Sequence, residues 1–461
     1  MMSRVSSFRT AMPLRQLSRG TFAQTSTPTV HAYTLLHRTR HISLSTRSRT
    51  AETRNNVNGQ LLRSLCRSVN LISTSQKRYK SSSTESSQSP LKGLWKPTHL
   101  QRLYYGPNSV KDHLLESLPS ETSKAFILTG NSLATKTPLI KQVEEQLGNK
   151  HAATFSKIVQ HAPVKELDEA TALVLKDPSI DTIISIGGGS PIDSAKAISY
   201  RLNEKQKGKW LYHITIPTTL SAAECTLGAG YTGEDGIKTG VAHAELAPHV
   251  VIYDSKFALE TPEWLFKSTG LRALDHAMEL MYHPTATEMP ARQNCLLAAQ
   301  GLFEGLREYH QNPKDEQVIT KLQLAAFQSL GFLALNVKGA LGLSHTLGYA
   351  LGSPFGIPHG ITSCLTLGHV VKLKAESSAD DAKQLARMAP FVGVTKSGDD
   401  KKDGVAVGEA ISKLVEDIGL KTTLTEKGVG RDQVDWIVKI ATRQESGPVY
   451  DKVKGLVEGL Y

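Results

Sequence analysis

Short apolar runs alternate with amphipathic stretches over residues 110–254, and this pattern predicts strands alternating with helices. The predicted strands are 125–129, 153–158, 181–186, 213–216 and 250–254, and the predicted helices among them are 110–118, 137–146 and 165–175. Such alternation is typical of a mostly parallel sheet with helices on both faces. This part of the chain is therefore predicted to be of the α/β class.

The pattern changes near residue 262, after which apolar positions recur at helical spacing and strand signals are nearly absent. The predicted helices are 263–284, 286–309, 315–338, 340–352, 361–374, 379–391, 405–419 and 431–442. We therefore expect two folded domains, an α/β domain over residues 91–262 and an all-α domain over residues 263–461. The apolar runs fall well short of about 18 residues, so we expect no membrane-spanning helix.

The first ninety residues differ from the rest of the chain in charge. Residues 1–50 contain eight arginines, frequent Ser and Thr, and no acid, which is typical of a mitochondrial transit peptide. We expect residues 1–90 to be a transit peptide and disordered linker, and the protein to reside in the mitochondrial matrix. The alternative is a basic tail that binds nucleic acid or acidic lipid. Of 54 Lys and Arg, 14 lie in residues 1–84 beside one acid, so the rest is nearly neutral and predicts no nucleic-acid partner.

A triple glycine follows the predicted strand 181–186. Its sequence is Gly187-Gly188-Gly189-Ser190-Pro191, which places Ser190 as the expected N-cap and Pro191 at the first helical position. Glycines let backbone N–H groups approach a phosphate closely, and the positive end of the following helix would face it. The stretch therefore predicts an anion site, although a turn without a ligand would have the same pattern. It lacks the spacing of a P-loop.

Several motifs occur together along the chain. They are Tyr105-Gly106-Pro107, the 187–196 stretch, Ile216-Pro217-Thr218-Thr219, the 270–279 segment and Pro358-His359-Gly360. In this combination the chain resembles the iron-containing alcohol dehydrogenase family over about residues 95–460. The resemblance implies a Rossmann-like dinucleotide-binding domain, then a helical domain, with the active site in the cleft between them. Segment 218–226 is one residue shorter than in most members, as in the maleylacetate reductase branch.

The resemblance also implies a set of residues for a nicotinamide cofactor, NAD or NADP. These residues are Gly187, Gly188, Gly189, Ser190, Asp193, Lys196, Thr218, Thr219, Gly130 and Asn131. Asp193 would orient the nicotinamide end, unless it only forms a solvent-exposed ion pair with Lys196. The hydroxyl of Thr218 would bond the cofactor, unless it serves a cap or turn. Members that prefer NAD carry an acid where this chain has Gly130, so a 2′-phosphate would meet no repelling carboxylate.

Members of the family that use iron or zinc hold the ion with one Asp and three His. The matching positions here are Arg272, His276, His345 and His359, so a cation replaces the carboxylate. Three histidines and a water can hold zinc. A guanidinium at the same place would repel a divalent ion, unless it turns away to pair with Asp275 or Glu279. Both interpretations stay open, and Asp275 as a displaced ligand is disfavoured because one residue turns it by about 100° around a helix.

Without a metal, the reaction would need another proton donor or positive partner. His345, His359 and Tyr349 are candidate donors, and Arg272 could hold a substrate carboxylate. We expect an NAD(P)-dependent oxidoreductase that interconverts an alcohol with an aldehyde or ketone, acting on small molecules and forming a homo-oligomer. The alternatives are a metal-independent, maleylacetate reductase-like enzyme for an unsaturated or oxo dicarboxylate, and a cofactor-binding protein that has lost catalysis.

Overall fold

The computed structural model describes residues 94–160, 162–233, 238–336 and 339–461. The predicted transit peptide and linker, residues 1–90, lie outside these described residues. No described helix combines the length and apolar character needed to cross a membrane. The predicted fold class is confirmed, because a parallel sheet with flanking helices is followed by a helical part.

Eight strands lie before residue 254 in the described chain. They are β1 Arg102–Tyr105, β2 Ala125–Thr129, β3 His151–Phe155, β4 Thr182–Gly187, β5 Tyr212–Pro217, β6 Gly228–Thr232, β7 Lys238–Ala242 and β8 Val250–Tyr253. Six of them form one parallel sheet in the order β1-β8-β5-β4-β2-β3, while β6 and β7 form an antiparallel hairpin. The five predicted strands are confirmed within a few residues, and β1, β6 and β7 were not predicted.

The helices of the first part lie on both faces of this sheet. They are α1 Ser109–His113, α2 Asn131–Lys136, α3 Leu139–Leu147, α4 Val164–Lys176, α5 Gly189–Lys205 and α6 Ser255–Ala258. Side chains alternate along each strand, so Ile127 of β2 packs with α1 and α3, while Phe126 and Leu128 pack with α4 and α5. The sheet is therefore covered on both sides, as its apolar strands require.

This arrangement creates a crevice at the carboxyl ends of β2 and β4. The helix that follows β2 packs on one face of the sheet, and the helix that follows β4 packs on the opposite face. Open α/β sheets bind ligands at such a switch point. Gly130 follows β2 and Gly187 ends β4, so the fold places both at this crevice.

The second part consists of helices throughout its described residues. They are α7 Glu263–Tyr282, α8 Gln293–Gln311, α9 Glu316–Leu330, α10 Leu343–Phe355, α11 His359–Ser377, α12 Ala379–Ala386, α13 Asp400–Asp417, α14 Val434–Thr442 and α15 Pro448–Glu458. The helix α7 is buried on nearly every side and packs against α8, α9 and α11. A helix buried all round forms the centre of a large core.

Hydrogen bonds connect α7 and its neighbours to the carboxyl end of β5. The Thr261 hydroxyl donates to Thr218 O at 2.8 Å, and the Leu220 amide donates to the Thr269 hydroxyl at 3.0 Å. Thr269 lies about one helical turn before Arg272 on α7. The sheet edge and the predicted active-site helix are thus bonded directly. The proposed domain boundary at residue 262 remains a prediction.

Candidate active site

The triple glycine forms a tight turn between β4 and α5, called here the glycine turn (Gly187–Gly189). Gly187 has φ of 139°, in the region that favours glycine, and a Cβ there would lie 3.0 Å from Pro191 Cγ. The helix begins at Gly189, and the extended Gly188 is its N-cap. The prediction of Ser190 as N-cap is therefore wrong, because Gly188 supplies the extended backbone two residues earlier. Pro191 is tolerated inside the first turn, where N–H groups lack helical partners.

The loop after β5, residues 218–228, packs against the glycine turn and is called here the β5 loop. A Cβ on Gly188 would lie 3.0 Å from Thr219 Cγ2, and one on Gly189 would lie 3.4 Å from Ser221 Oγ. The backbone N–H of Thr218 also donates to Gly187 O at 2.9 Å. The two loops therefore pack closely, and a Cβ on Gly188 would require Thr219 to move by a few tenths of an ångström.

The other predicted cofactor residues occupy the same edge of the sheet. Gly188, Gly189 and Ser190 are half-buried, so their polar groups lie at the crevice surface. Gly130 is the N-cap of α2, and Asn131 is exposed at the first position of that helix. Thr218 and Thr219 are buried, and Thr219 Oγ1 accepts a hydrogen bond from the Ser221 amide at 3.4 Å. A cofactor role for these residues stays a prediction.

Lys196 and Asp193 do not form the exposed ion pair that was considered. The Lys196 side chain is 0% exposed, and its ammonium lies 3.6 Å from Asp193 Oδ1. That ammonium donates to Ala223 O at 2.6 Å, and Asp193 Oδ2 accepts from the Gly230 amide at 3.1 Å. The Lys196 side chain is thus bonded to protein atoms alone, whereas the Asp193 side chain is 23% exposed. The Lys196 ammonium is therefore not exposed at the crevice, and a cofactor role for Lys196 stays a prediction.

A group of ionisable side chains lies along one face of α7 and meets α10. Arg272, Asp275 and Glu279 follow each other at spacings of three and four residues, which places them on one helix face. Together with His345 of α10 they are called here the charged cluster. Arg272 Nη1 lies 3.4 Å from Asp275 Oδ2, and His345 Nδ1 lies 2.6 Å from Glu279 Oε2. The alternative in which Arg272 pairs with Asp275 is therefore the one observed.

Hydroxyl and amide donors complete the charged cluster. Asp275 Oδ2 accepts hydrogen bonds from the hydroxyls of Ser344 and Ser363, each at 2.7 Å. Glu279 Oε1 accepts from the Ser344 amide at 2.7 Å. His345 Nδ1 also lies 3.4 Å from Asp275 Oδ1. Both carboxylates are fully buried, and these bonds compensate for their lost hydration.

The charges in the cluster shift each other's protonation. Burial alone would raise the pKa of the Asp275 carboxyl, but the His345 and Arg272 charges and accepted hydrogen bonds hold that pKa well below its usual range. Burial and the Arg272 charge act to lower the pKa of His345, but Asp275 and Glu279 outweigh them and raise it. Burial, with the His345 and Arg272 charges, lowers the pKa of His276. The cluster therefore favours a charged His345 and a neutral His276.

The predicted metal ligands are not brought together as expected. Among the described residues, Asp275, Glu279 and His345 form the one group of three whose ligand atoms lie within 4.8 Å of each other. His276, His345 and His359 do not form such a group, although the His276 and His345 rings are neighbours, with 5.0 Å between their centroids. The His359 ring instead packs near Gly352 and lies edge-on to Tyr349, with 6.5 Å between ring centroids.

The charged cluster does not fit iron or zinc as a ligand set. Arg272, which the resemblance places at the family's aspartate, has its positive charge beside Asp275. Ser344 and Ser363 already donate to Asp275, and His345 Nδ1 is directed to Glu279. A divalent ion would have to displace these donors and approach a guanidinium. A metal held by His276, His345 and His359 stays a prediction.

Two buried ring nitrogens lie next to the charged cluster without hydrogen bonds from the described part of the chain. They are His276 Nδ1 and His345 Nε2, and the two ring centroids are 5.0 Å apart. Buried polar atoms in proteins are normally paired, so these nitrogens are available to a ligand oxygen. Tyr349, a predicted proton donor, is 41% exposed and lies near His359 rather than in the cluster. The sequence predicts Glu279 only as a partner of Arg272, although its spacing from Asp275 places both on the same helix face.

Comparison with known proteins identifies the family. The profile of the iron-containing alcohol dehydrogenases matches residues 101–255, and the C-terminal profile of the Fe-containing alcohol dehydrogenase family matches residues 266–452. A maleylacetate reductase of Rhizobium sp. (strain MTP-10005) is 30% identical over 302 residues, covering 64% of this chain and 77% of the relative. Alcohol dehydrogenase 4 of Schizosaccharomyces pombe is 29% identical over 303 residues, covering 61% and 69%.

Solved structures show the same fold. The maleylacetate reductase of Agrobacterium tumefaciens superposes with a TM-score of 0.68 at 24% identity, covering 80% of this chain and 98% of that one. An alcohol dehydrogenase from Oenococcus oeni gives a TM-score of 0.72 at 20% identity, covering 80% and 100%. At these identities the likeness concerns the fold alone, whereas the two profiles together match most of the chain. The chain therefore belongs to the iron-containing alcohol dehydrogenase family of oxidoreductases, on its maleylacetate reductase-like branch.

Proposed function

We propose that this oxidoreductase reduces an unsaturated or oxo dicarboxylate with a nicotinamide cofactor and without a metal ion. The observation that carries the proposal is the pairing of Arg272 with Asp275 inside the buried charged cluster. It puts a permanent cation where a divalent ion would otherwise provide positive charge. The curated relatives named maleylacetate reductase support the same substrate class.

The cofactor part of the proposal rests on the crevice between β2 and β4. The glycine turn presents half-buried backbone groups at the amino end of α5, where the helix dipole favours a pyrophosphate. At the carboxyl end of β2 the chain has Gly130, which has no side-chain carboxylate to repel a 2′-phosphate. NAD and NADP are therefore both compatible with this crevice.

The charged cluster offers the groups that such a reduction needs beyond the hydride. The reduction adds one hydride and one proton, and a substrate carboxylate needs a cationic partner. The Arg272 side chain is 10% exposed. Its hydrogen bonds to Asp275 and Ser363 are both donated by Nη1. His345 is held at Nδ1 by Glu279, which leaves its Nε2 as the proposed proton donor. His359 and Tyr349 are the other candidate donors.

The decisive experiment is a substrate screen with NADH and NADPH on the full chain. We expect oxidation of the reduced cofactor with an unsaturated oxo dicarboxylate, and weaker turnover of neutral aldehydes and ketones. Arg272→Ala is expected to lower kcat/KM for the dicarboxylate by about a hundredfold, as for loss of an interaction with a charged group, and to affect a neutral ketone less. Arg307→Ala, an exposed arginine of the same part of the chain, is the control. Full dicarboxylate activity in Arg272→Ala would exclude the carboxylate role.

A second candidate is a metal-dependent alcohol dehydrogenase. It is favoured by the proximity of Asp275, Glu279 and His345, and by the relative named alcohol dehydrogenase 4. Under this alternative the three side chains would reorganise around iron or zinc. Stoichiometric metal in the purified protein, with alcohol oxidation that a chelator abolishes and the metal restores, would favour it.

Cofactor binding without turnover of any tested carbonyl would favour a protein that has lost catalysis.

We also propose that the enzyme acts in the mitochondrial matrix. The support is the arginine-rich, acid-free composition of residues 1–50. A fluorescent protein fused behind residues 1–90 should enter mitochondria, and a fusion in which the eight arginines of residues 1–50 are changed to glutamine should not. Cytosolic distribution of the first fusion would contradict the proposal.

A further inference from the structure

The buried ammonium of Lys196 is bonded to three atoms of the β5 loop. It donates to Ala223 O at 2.6 Å, to Thr226 Oγ1 at 2.8 Å and to Gly228 O at 2.9 Å. A lysine ammonium has three protons, so these acceptors use its full capacity. Lys196 therefore joins the first turns of α5 to a loop that follows a different strand.

Further bonds hold the same loop from a second side. Tyr253, the last residue of β8, donates its buried hydroxyl to Glu224 Oε1 at 2.5 Å. Just beyond the loop, Asp193 Oδ2 accepts the Gly230 amide at 3.1 Å. The loop is thus fixed by α5 on one side and by the sheet on the other.

The β5 loop also lines the crevice next to the glycine turn. Thr219 Cγ2 lies 3.0 Å from the position that a Cβ on Gly188 would take, and Ser221 Oγ and Ala223 Cβ lie 3.4 and 3.7 Å from the corresponding position on Gly189. The helix that carries Lys196 begins at Gly189 itself. A closed chain of contacts thus runs from the glycine turn through α5 and Lys196 to the β5 loop and back.

This placement of a charge is costly for the folded protein. Burial lowers the pKa of Lys196, while the nearby Asp193 and Glu224 charges act in the opposite direction. A well-packed apolar side chain in such a place is often neutral or stabilising relative to a buried ion pair. A role in setting the shape of the crevice accounts for a lysine here better than stability does.

We propose that Lys196 is a positioning residue for the cofactor, which it never touches. Its ammonium holds the β5 loop against the glycine turn, and the spacing of these two loops sets the width of the pyrophosphate site. This inference rests on the proposed nicotinamide dependence. It replaces the direct cofactor contact that the sequence motif suggested for Lys196.

The test measures the dissociation constants of NADH and NADPH by fluorescence titration of the full-length protein. Lys196→Met keeps the length of the side chain and removes the charge. We expect it to weaken binding about tenfold or more, the effect of losing hydrogen bonds to one charged group, and to raise the cofactor KM more than it lowers kcat. Thr226→Val removes a single acceptor and should weaken binding about threefold, by the same reasoning.

The matched control is Lys267→Met. Lys267 is also a buried lysine bonded to a backbone carbonyl, Ile418 O at 2.9 Å, but it lies in the helical part. The Lys267→Met protein should be less stable than the wild type, but its affinity for the cofactor should be unchanged. Wild-type affinity in folded Lys196→Met, or in Thr226→Val if Lys196→Met does not fold, would overturn the inference. An equal loss in Lys267→Met would also overturn it, whereas a wild-type protein that binds neither cofactor would overturn the proposed function itself.

Discussion

Arg272 Nη1 lies 3.4 Å from Asp275 Oδ2, one helical turn further along α7, and both side chains are buried. The same carboxylate oxygen also accepts bonds from Ser344 and Ser363. The guanidinium is thus one cation, beside the protonated His345, of a network whose anions are Asp275 and Glu279. This network defines which changes to the site should affect stability and which should affect chemistry.

Replacement of Arg272 should destabilise the fold more than replacement of an exposed arginine. Arg272→Met leaves the buried Asp275 without its guanidinium partner. We expect the free energy of unfolding to fall by about 2 kcal/mol, which is less than the usual cost of breaking a buried ion pair because Asp275 keeps its other donors. In Arg307→Met the partner is Asp417 at 3.5 Å, but both side chains are well exposed, so the loss should stay under about 1 kcal/mol. Urea unfolding of the three proteins measures the difference, and equal losses would contradict the role assigned to the buried pair.

The site should not depend on a divalent ion. The purified protein is expected to hold far less than one iron or zinc per chain, and a chelator should leave its reductase activity unchanged. Arg272→Asp puts a carboxylate four residues before His276 and removes the repelling charge, so this variant should gain affinity for Zn²⁺. Calorimetric titration of both proteins with Zn²⁺ measures the gain. Loss of wild-type activity on chelation, reversed by iron or zinc, would refute this expectation.

The stability of the protein should fall as the pH rises above neutrality. The two carboxylates raise the pKa of His345 above its unfolded value of about 6.5, despite burial and the Arg272 charge. A raised folded-state pKa gives stability that is complete below the unfolded pKa and is lost as pH rises through the folded one. Glu279→Gln removes one carboxylate and should reduce this loss. Urea unfolding at several values between pH 6 and 9 tests it, and parallel curves for the two proteins would contradict the assignment.

The glycine turn should be intolerant of a single methyl group. Gly188→Ala places a Cβ 3.0 Å from Thr219 Cγ2, so the two loops must separate, and cofactor affinity should fall by about tenfold, or 1.4 kcal/mol. The control is Gly455→Ala in α15, where a Cβ meets no atom within 4 Å. That change should stabilise the helix by about 0.5–1 kcal/mol and leave binding unchanged. Equal cofactor affinity in the two variants would show that the turn has room to adapt.

The pattern of apolar positions predicts the central strands well because these strands are buried on both faces. The same pattern does not predict β1, β6 or β7. The outer strand β1 is four residues long, with two exposed and two half-buried residues, and the hairpin strand β6 is Gly228-Ala229-Gly230-Tyr231-Thr232. Helix α15 contains Gly455, which weakens a short helical pattern. Edge and glycine-rich elements form through contacts with the rest of the fold, which local periodicity does not contain.

The candidate site was predictable where residues share one helix. The spacing of Arg272, Asp275 and Glu279 along α7 is enough to place them on one face, and the Arg272–Asp275 pair was among the alternatives considered. The turn of His345 towards Glu279 was not predictable, because it depends on how α10 packs against α7. The burial of Lys196 depends in the same way on the path of the β5 loop.

The bonds between the carboxyl end of β5 and the helical part join the crevice to the charged cluster. Thr218 and Leu220 are held by Thr261 and Thr269, and Thr269 lies one helical turn before Arg272 on α7. These bonds therefore set the spacing between the β5 loop, where the cofactor is proposed to bind, and the charged cluster.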